Sequence, residues 1–388
     1  MQFNTVRERR HDVDWLRVSV FMLLIFYHIG QYYVADWEWH VKSEHQSSFL
    51  KNLMLLSNQW RMPLVFLVSG LSLALVEAKL SSWQLVKTRF MRLYLPIVIG
   101  MLIIVPPQLY YELIQKEGFS GTYGDFYSIY LNINTIHFVD YQTPMGILTW
   151  NHLWYLAYLW HYTLLYILIK PLIKGVPWNE LLRRVNPCIL IFAPLVLCTL
   201  YGVLLKPYYP QTNQLFGDWY NHALYLTTFF MGYVLAKSPN IWDSIIRHRR
   251  MWLVMACVSF VVFLLRFHGY LPQYDTSISE FDSTINTWIK ETVVYINMFC
   301  WVYAAIGYAG LLKSKQHPVL SYMNDAILPW YIVHQTIIIV FAANIANYHL
   351  GPVVEPIVMI IATLLGCFLF YEIVRRFYLF SVMFGVKR

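Results

Sequence analysis

The chain has 388 residues, of which 58% are apolar, 18% aromatic and only 13% charged, with a formal net charge of +8. Soluble domains carry about 25% charged residues, so this composition indicates an integral membrane protein. The positive charge does not indicate nucleic-acid binding, because the basic residues lie between apolar segments and form no basic domain of their own.

Ten apolar stretches have nearly the length that a membrane-spanning helix needs, and they contain few or no charged residues. In chain order they are 18–34, 62–76, 93–111, 153–169, 187–205, 219–236, 251–265, 292–312, 326–346 and 356–371. The sequence therefore predicts an all-α, polytopic membrane protein with about ten transmembrane helices. We expect one domain over residues 1–388, with no appended soluble domain.

The basic residues predict the orientation of these spans. If the N-terminus is cytoplasmic, 22 of the 29 Lys and Arg residues fall on the cytoplasmic side, in agreement with the positive-inside rule. These residues are Arg7, Arg9, Arg10, Arg17, Lys79, Lys87, Arg89, Arg92, Lys170, Lys174, Arg183, Arg184, Lys237, Arg247, Arg249, Arg250, Lys313, Lys315, Arg375, Arg376, Lys387 and Arg388. Both termini are therefore predicted to be cytoplasmic.

The first apolar stretch carries the most informative pair of residues. Arg17 and His28 are eleven residues apart, which in an α-helix is three turns plus roughly 20°, so they share a face and lie about 16 Å apart along the axis. Ionisable groups at membrane depth are costly and are candidates for function. The pair predicts a helix that binds a charged group at its cytoplasmic end and handles protons deeper in the membrane.

A second pair lies between the second and third predicted spans. Arg89 and Arg92 are three residues apart and would share a helix face at the cytoplasmic side. Arginines placed in this way suit bidentate phosphate binding, although ordinary positive-inside charge is the alternative. We expect no metal site, because the five cysteines are scattered and no span carries His-x-x-x-His or Glu-x-x-His.

Five motifs, taken in order, resemble the acyltransferase-3 family of integral-membrane O-acyltransferases. They are Asp14-Trp15-Leu16-Arg17 with His28, Arg61-Met62-Pro63 with Phe66-Leu67-Val68-Ser69-Gly70, Arg89 with Arg92, His152-Leu153-Trp154-Tyr155-Leu156, and Trp330-Tyr331-Ile332-Val333-His334. Within the family the chain is similar to the glucan biosynthesis protein C branch, whose members succinylate periplasmic glucans. That likeness lies in Trp39-His40-Val41-Lys42-Ser43 and Asn151-His152-Leu153-Trp154-Tyr155.

The resemblance implies a multi-pass enzyme of the bacterial inner membrane. It would transfer an acetyl or succinyl group from cytoplasmic acyl-coenzyme A to a hydroxyl of an extracytoplasmic carbohydrate. The donor phosphates would meet Arg17, Arg89 and Arg92. The catalytic residues would be His28 and Arg17, with His28 as general base or transient acyl carrier. Acyl-coenzyme A would be a co-substrate with no permanently bound cofactor. The expected partners are the lipid bilayer, this donor and the glycan acceptor, with no nucleic acid.

Four further residues are candidates for binding the acceptor or the acyl group. Arg61 is basic on the outer side, where it either holds an anionic group or snorkels to headgroups. His152 and Trp154 open the fourth span at the outer face, where an acceptor would arrive. His334 matches a family position in an otherwise apolar span, and packing explains it equally well.

Two other functions are also consistent with these residues. A proton-coupled exporter of a small anion or glycan intermediate would use Arg17 and His28 as substrate and proton sites. A glycan-binding or lipid-binding scaffold would need no turnover. The transporter alternative is weakened because no internal repeat is present and no second Arg is followed, eleven positions later, by His in the later spans. An enzyme changes its acceptor covalently, whereas an exporter changes only its location.

Overall fold

The computed structural model describes residues 10–77, 79–132, 148–173, 175–271 and 280–387. Of the basic residues predicted to be cytoplasmic, Arg7, Arg9, Lys174 and Arg388 lie outside these ranges. The described residues are largely helical, and an isolated β-bridge joins Val34 to Ser47.

The first eight α-helices are α1 (His11–Tyr33), α2 (Ser48–Asn58), α3 (Arg61–Val76), α4 (Ser82–Arg89), α5 (Leu95–Ile99), α6 (Pro106–Glu117), α7 (Tyr123–Leu131) and α8 (Trp154–Ile173). The remaining nine are α9 (Trp178–Arg184), α10 (Pro187–Leu204), α11 (Trp219–Lys237), α12 (Pro239–Arg247), α13 (Arg249–Phe267), α14 (Glu280–Ala309), α15 (Pro318–Ile345), α16 (Gly351–Arg376) and α17 (Tyr378–Met383).

Eight helical segments of the described chain are long and apolar enough to cross a membrane. They are α1, α2 with α3, α4 through α6, α10, α13, α14, α15 and α16. The other two predicted spans fall on α8 and α11, which are helices of 20 and 19 residues. The all-α membrane fold is thus confirmed, while ten crossings and cytoplasmic termini stay predictions.

Burial separates central helices from peripheral ones. In the most apolar stretch of α2–α3, 72% of the residues are buried, and 67% are buried in that of α15. The corresponding share is only 11% in α13, which exposes Val254, Val258 and Val261. An outward row of apolar side chains is what a helix needs where its surroundings are lipid. Function is therefore expected on the central helices.

The closest helix contact joins α3 to α11. A Cβ atom on Gly70 would lie 1.8 Å from the carbonyl oxygen of Phe229, and one on Gly232 would lie 1.9 Å from that of Leu67. Only glycine lets two helix backbones approach so closely, a common device in membrane proteins. The contact fixes α3, whose first residue is Arg61, against the bundle.

The third predicted span is one helical rod that contains two π-helical turns, at Phe90–Tyr94 and Gly100–Ile104. A capping box between Ser81 and Gln84 starts the rod, and Gly118, with φ of 66°, ends it. Turns of the π type are rare and occur frequently at functional sites. The first of them carries Arg92.

Candidate active site

Two cavities lie towards opposite ends of the central helices. The outer cavity, of about 730 Å³, lies on the side of the predicted extracytoplasmic loops and is lined by His28, Arg61, His152 and Trp154 among others. The inner cavity, of about 240 Å³, is lined by Arg17, Arg89 and Arg92 among others. Among the described residues the two linings share no member. Helix α1 thus reaches both cavities.

Arg17 is fixed in the inner cavity by three neighbours. Its Nη2 donates to Ser72 Oγ at 2.5 Å, and its Nη1 donates to Asn324 Oδ1 at 3.2 Å. The same Nη1 lies 3.4 Å from the Asp14 carboxylate, three residues earlier on α1. Side chains from α1, α3 and α15 therefore orient this guanidinium, and Asn324 is a partner that the sequence did not indicate.

The rest of the inner cavity adds positive charge. Arg89 and Arg92 line it as predicted, and Lys387 joins them from the segment after α17. Arg92 Nε donates to the carbonyl oxygen of Gly385 at 3.3 Å, which ties that segment to the first π turn. Four basic residues against two aspartates, Asp14 and Asp325, leave an excess of positive charge around this cavity, which suits an anion with several charged groups, such as a nucleotide phosphate.

His28 and His334 form a direct pair at the outer cavity. His334 Nδ1 lies 2.7 Å from the Tyr331 carbonyl oxygen, and His28 Nδ1 lies 3.0 Å from that of Leu24. Since a carbonyl only accepts, both Nδ1 atoms carry a proton. His334 Nε2, 3.1 Å from His28 Nδ1, is then an acceptor. This tautomer, assigned from the bonding network, leaves the lone pair of His28 on Nε2.

His334 is thus a partner of His28 and does not itself line the outer cavity. It is fully buried, and its ring lies between those of His28 and His152, at centroid distances of 5.0 and 5.2 Å. The contact crosses 306 positions of the sequence. In this arrangement the His334 imidazole orients that of His28, as the aspartate orients the histidine in a Ser-His-Asp triad.

His152 and Trp154 lie in the wall of the outer cavity as predicted. His152 Nε2 is 3.0 Å from the carbonyl oxygen of Ile332, and its Nδ1 is 3.4 Å from Gln108 Nε2, so both ring nitrogens have partners. Trp154 packs its ring on Tyr158 and Tyr225. Their geometry suits a rigid wall against which a substrate is positioned.

Arg61 is the most unusual group in the outer cavity. Its side chain is only 7% exposed, and its Cζ lies 3.4 Å from the centre of the Tyr27 ring. Among the described residues, neither Nε nor Nη1 has a hydrogen-bond partner. A buried cation without a counter-ion is costly. The arrangement therefore fits a site that awaits an anion beside His28.

A third histidine of the outer cavity, His40, was not predicted as a site residue. His40 Nδ1 is hydrogen-bonded to the Glu112 carboxylate, and Nε2 lies 3.0 Å from Asn151 Nδ2 and 3.1 Å from Gln335 Nε2. Asn151 has φ of 42°, in the left-handed region that non-glycine residues seldom adopt. The sequence signal was present in the Trp39-His40 motif, but nothing there pointed to Glu112.

Three aromatic rings separate the two cavities. Phe21 lies 5.9 Å from Tyr155 and 5.5 Å from Tyr331 between ring centres, and the two tyrosine rings lie 5.8 Å apart. All three side chains are buried, and Tyr155 is also hydrogen-bonded to Ser69 at 2.5 Å. We call these three residues the aromatic partition. Phe21 and Tyr155 line the inner cavity and Tyr331 lines the outer one, so the partition lies between the two.

Comparison with known proteins decides the family. The acyltransferase-3 family model, described as an acyltransferase domain, matches residues 10–372. The chain belongs to the acyltransferase-3 family. This acyltransferase is also 24% identical, over 360 residues, to the glucans biosynthesis protein C of Escherichia coli K12 and of strain SMS-3-5. The alignment covers 88% of the chain and 85% of each relative. No solved structure gives a significant match. The predicted resemblance is confirmed.

Proposed function

We propose that this acyltransferase moves an acyl group from cytoplasmic acyl-coenzyme A, bound at the inner cavity, to a carbohydrate hydroxyl in the outer cavity. The observation that carries the proposal is that α1 presents Arg17 to one cavity and His28 to the other. The positive-inside distribution of the basic residues supports a cytoplasmic position for the inner cavity, and we propose a bacterial inner membrane as its location. Donor and acceptor then remain on their own sides, and only the acyl group crosses.

The donor site rests on charge. Arg17, Arg89 and Arg92 line the inner cavity, so its basic wall suits the phosphates of coenzyme A. The thioester lies at the end of a long flexible arm, and that arm would pass the aromatic partition to reach His28. Because the phosphates stay behind, the coenzyme itself is retained on the cytoplasmic side.

The acceptor and the acyl group are assigned to the outer cavity. Trp39 and Trp154 offer aromatic faces there, and Asn151 and Gln335 offer amide groups that suit sugar hydroxyls. Arg61 favours an acyl group that ends in a carboxylate, since succinyl would supply the anion that this guanidinium lacks. Relatives named for glucans biosynthesis support a glucan as the acceptor.

His28 is assigned the central chemical step. Its Nδ1 proton is held by Leu24 and His334, so its Nε2 lone pair serves either as general base or as transient acyl carrier. Imidazole suits both roles, because the lone pair of a neutral ring can take a proton or bond to an acyl carbon. The buried neighbours hold the His28 ring in a single orientation, so less entropy is lost when the reactive geometry is reached.

Mass spectrometry of envelope glycans tests the proposal. We compare cells that carry the intact gene, a deletion, and His28→Ala at matched protein level. A mass increment of one acyl group, present only with the intact protein, is the expected result, and its size distinguishes acetyl from succinyl. Equal glycan masses in all three strains, with a glycan or metabolite trapped inside the deletion cells, would instead support the exporter.

The donor site makes a separate prediction. Arg89→Gln or Arg92→Gln is expected to raise the KM for acyl-coenzyme A about 10-fold or more, because each removes a hydrogen bond to a charged group. The kcat should change little, since neither residue is near His28. Lys87→Gln is the matched control, because Lys87 is an exposed residue of the same rod outside the cavity lining. An unchanged KM for acyl-coenzyme A in both arginine variants would show that the donor phosphates bind elsewhere.

A further inference from the structure

We infer that His40, oriented by Glu112, is the base that removes the proton from the acceptor hydroxyl, which leaves His28 to carry the acyl group. The inference rests on the proposed function and divides its chemistry between two histidines. His40 and His28 both line the outer cavity, whose volume of about 730 Å³ is large enough for a sugar. Three imidazoles line the cavity, and those of His28 and His40 have different surroundings, which suits two different tasks.

The carboxylate behind His40 has the features of an orienting group. Glu112 is only 7% exposed, and its described partners are the His40 ring and Lys116 Nζ, 3.0 Å away. A buried carboxylate bonded to Nδ1 of a histidine fixes the tautomer and stabilises the imidazolium that forms when Nε2 takes a proton. His28 has no such carboxylate, since its Nδ1 faces a carbonyl and a second imidazole.

A chain of hydrogen bonds assigns the acceptor role to His40 Nε2. Thr336 Oγ1 gives its only proton to a backbone carbonyl, so it must accept from Gln108 Nε2 at 2.6 Å. Gln108 Oε1 therefore accepts from Asn151 and Gln335, at 2.9 and 3.1 Å. Both amides then present N–H groups to His40 Nε2, which can only accept. An acceptor hydroxyl would replace one of these two donors.

Helix α15 couples the two histidines. His334 is bonded to His28, and the next residue, Gln335, is bonded to His40. Consecutive residues of one buried helix therefore hold both rings, and the strained Asn151 supports His40 from the other side. Strain of this kind persists where the surroundings over-determine it, often at functional sites.

The reaction balances in two steps. In the first, His28 Nε2 bonds to the thioester carbon, the carbon–sulfur bond breaks, and the thiolate leaves and takes a proton from water. In the second, the acceptor oxygen bonds to the acyl carbon and its proton moves to His40 Nε2. The carbon–nitrogen bond breaks, and its electron pair returns to His28. His40 then releases its proton to water, and the products are an ester and a thiol.

The test separates the two half-reactions. Purified protein is mixed with radiolabelled succinyl-coenzyme A or acetyl-coenzyme A without acceptor, and free thiol is measured by rapid quench. Transfer is measured as glycan acylation in cells. His40→Gln is expected to release one equivalent of thiol as the wild type does, yet to lower glycan acylation at least about 100-fold, the scale of a general base. His28→Ala should fail in both.

Two further variants keep the result interpretable. Glu112→Gln should lower transfer about 10-fold or more while sparing thiol release, because it keeps the size of the side chain and loses its charge. Glu38→Gln is the matched control, since Glu38 is an exposed carboxylate 3.7 Å from the same Lys116. It should change neither reaction, and size-exclusion profiles should show all variants folded.

Four other outcomes would each contradict one part of the inference or the proposed function itself. Wild-type glycan acylation in His40→Gln cells removes His40 as the base, while the proposed function stands. Loss of thiol release in folded His40→Gln protein also removes the acceptor-side role. A wild-type protein that acylates glycan without a burst of thiol overturns the carrier role of His28. A wild-type protein that acylates no glycan overturns the proposed function itself.

Discussion

Replacing Arg61 with methionine is expected to lower succinyl transfer at least about 10-fold while raising the stability of the fold. A hydrogen bond to a charged group contributes roughly 1.5–3 kcal/mol, so removing it weakens the hold on an anionic acyl group. A buried charge replaced by an apolar side chain of similar size often stabilises a protein, by about 1–4 kcal/mol. Activity with labelled succinyl-coenzyme A tests the expected loss of transfer, and the thermal unfolding midpoint in detergent tests the expected gain in stability.

The control for Arg61 is Arg266→Met. Arg266 lies near the outer end of α13, and its Nη2 donates to Asn286 at 2.6 Å, so its loss should lower stability and leave transfer unchanged. Equal rates for Arg61→Met with succinyl and acetyl donors would show that Arg61 does not bind the acyl carboxylate. A lower thermal midpoint in Arg61→Met would show that the guanidinium has a stabilising role.

Replacing Gly232 with alanine is expected to prevent folding of the bundle. The added Cβ would stand 1.9 Å from the carbonyl oxygen of Leu67, and a backbone atom cannot turn aside as a side chain does. Forced overpacking costs about 1–3 kcal/mol, and more where helix backbones must separate. The yield of monodisperse protein after membrane extraction measures the effect.

The matched substitution is Gly124→Ala on α7. There the nearest atom to a new Cβ is Thr122 Oγ1 at 3.7 Å, an ordinary contact, so the yield should stay at the wild-type level. A normal yield of Gly232→Ala would mean that α3 and α11 have room to separate. The α3–α11 contact would then not be what fixes the position of Arg61.

The sequence predicted well whatever depends on helix periodicity and on charge. The shared face of Arg17 and His28 follows from helix geometry alone, and the structure places both on α1 at the two cavities. Arg89 and Arg92 were grouped by their spacing on one helix, and they line one cavity. Arg61 stood out because a basic residue on the outer side departs from the charge pattern, and it is indeed buried there.

Contacts between residues that are distant in the sequence could not be predicted from helix periodicity or from charge. The His28–His334 bond spans 306 positions, and the bond from His40 to Glu112 spans 72. Nothing in the local pattern of a loop histidine or of an acidic residue on α6 indicates that they meet. Such pairs depend on how the helices pack, and a single sequence does not specify that without the fold.

The aromatic partition also has an electrical consequence. In a membrane, water in the two polar cavities would concentrate most of the voltage across the short stretch that holds Phe21, Tyr155 and Tyr331. One elementary charge moved across 100 mV gains or loses about 2.3 kcal/mol. In the orientation we propose, a cell with a negative interior would push an anionic acyl group outward. The membrane potential would then help to drive succinyl transfer, in addition to the thioester. Transfer of the uncharged acetyl group would not depend on the potential.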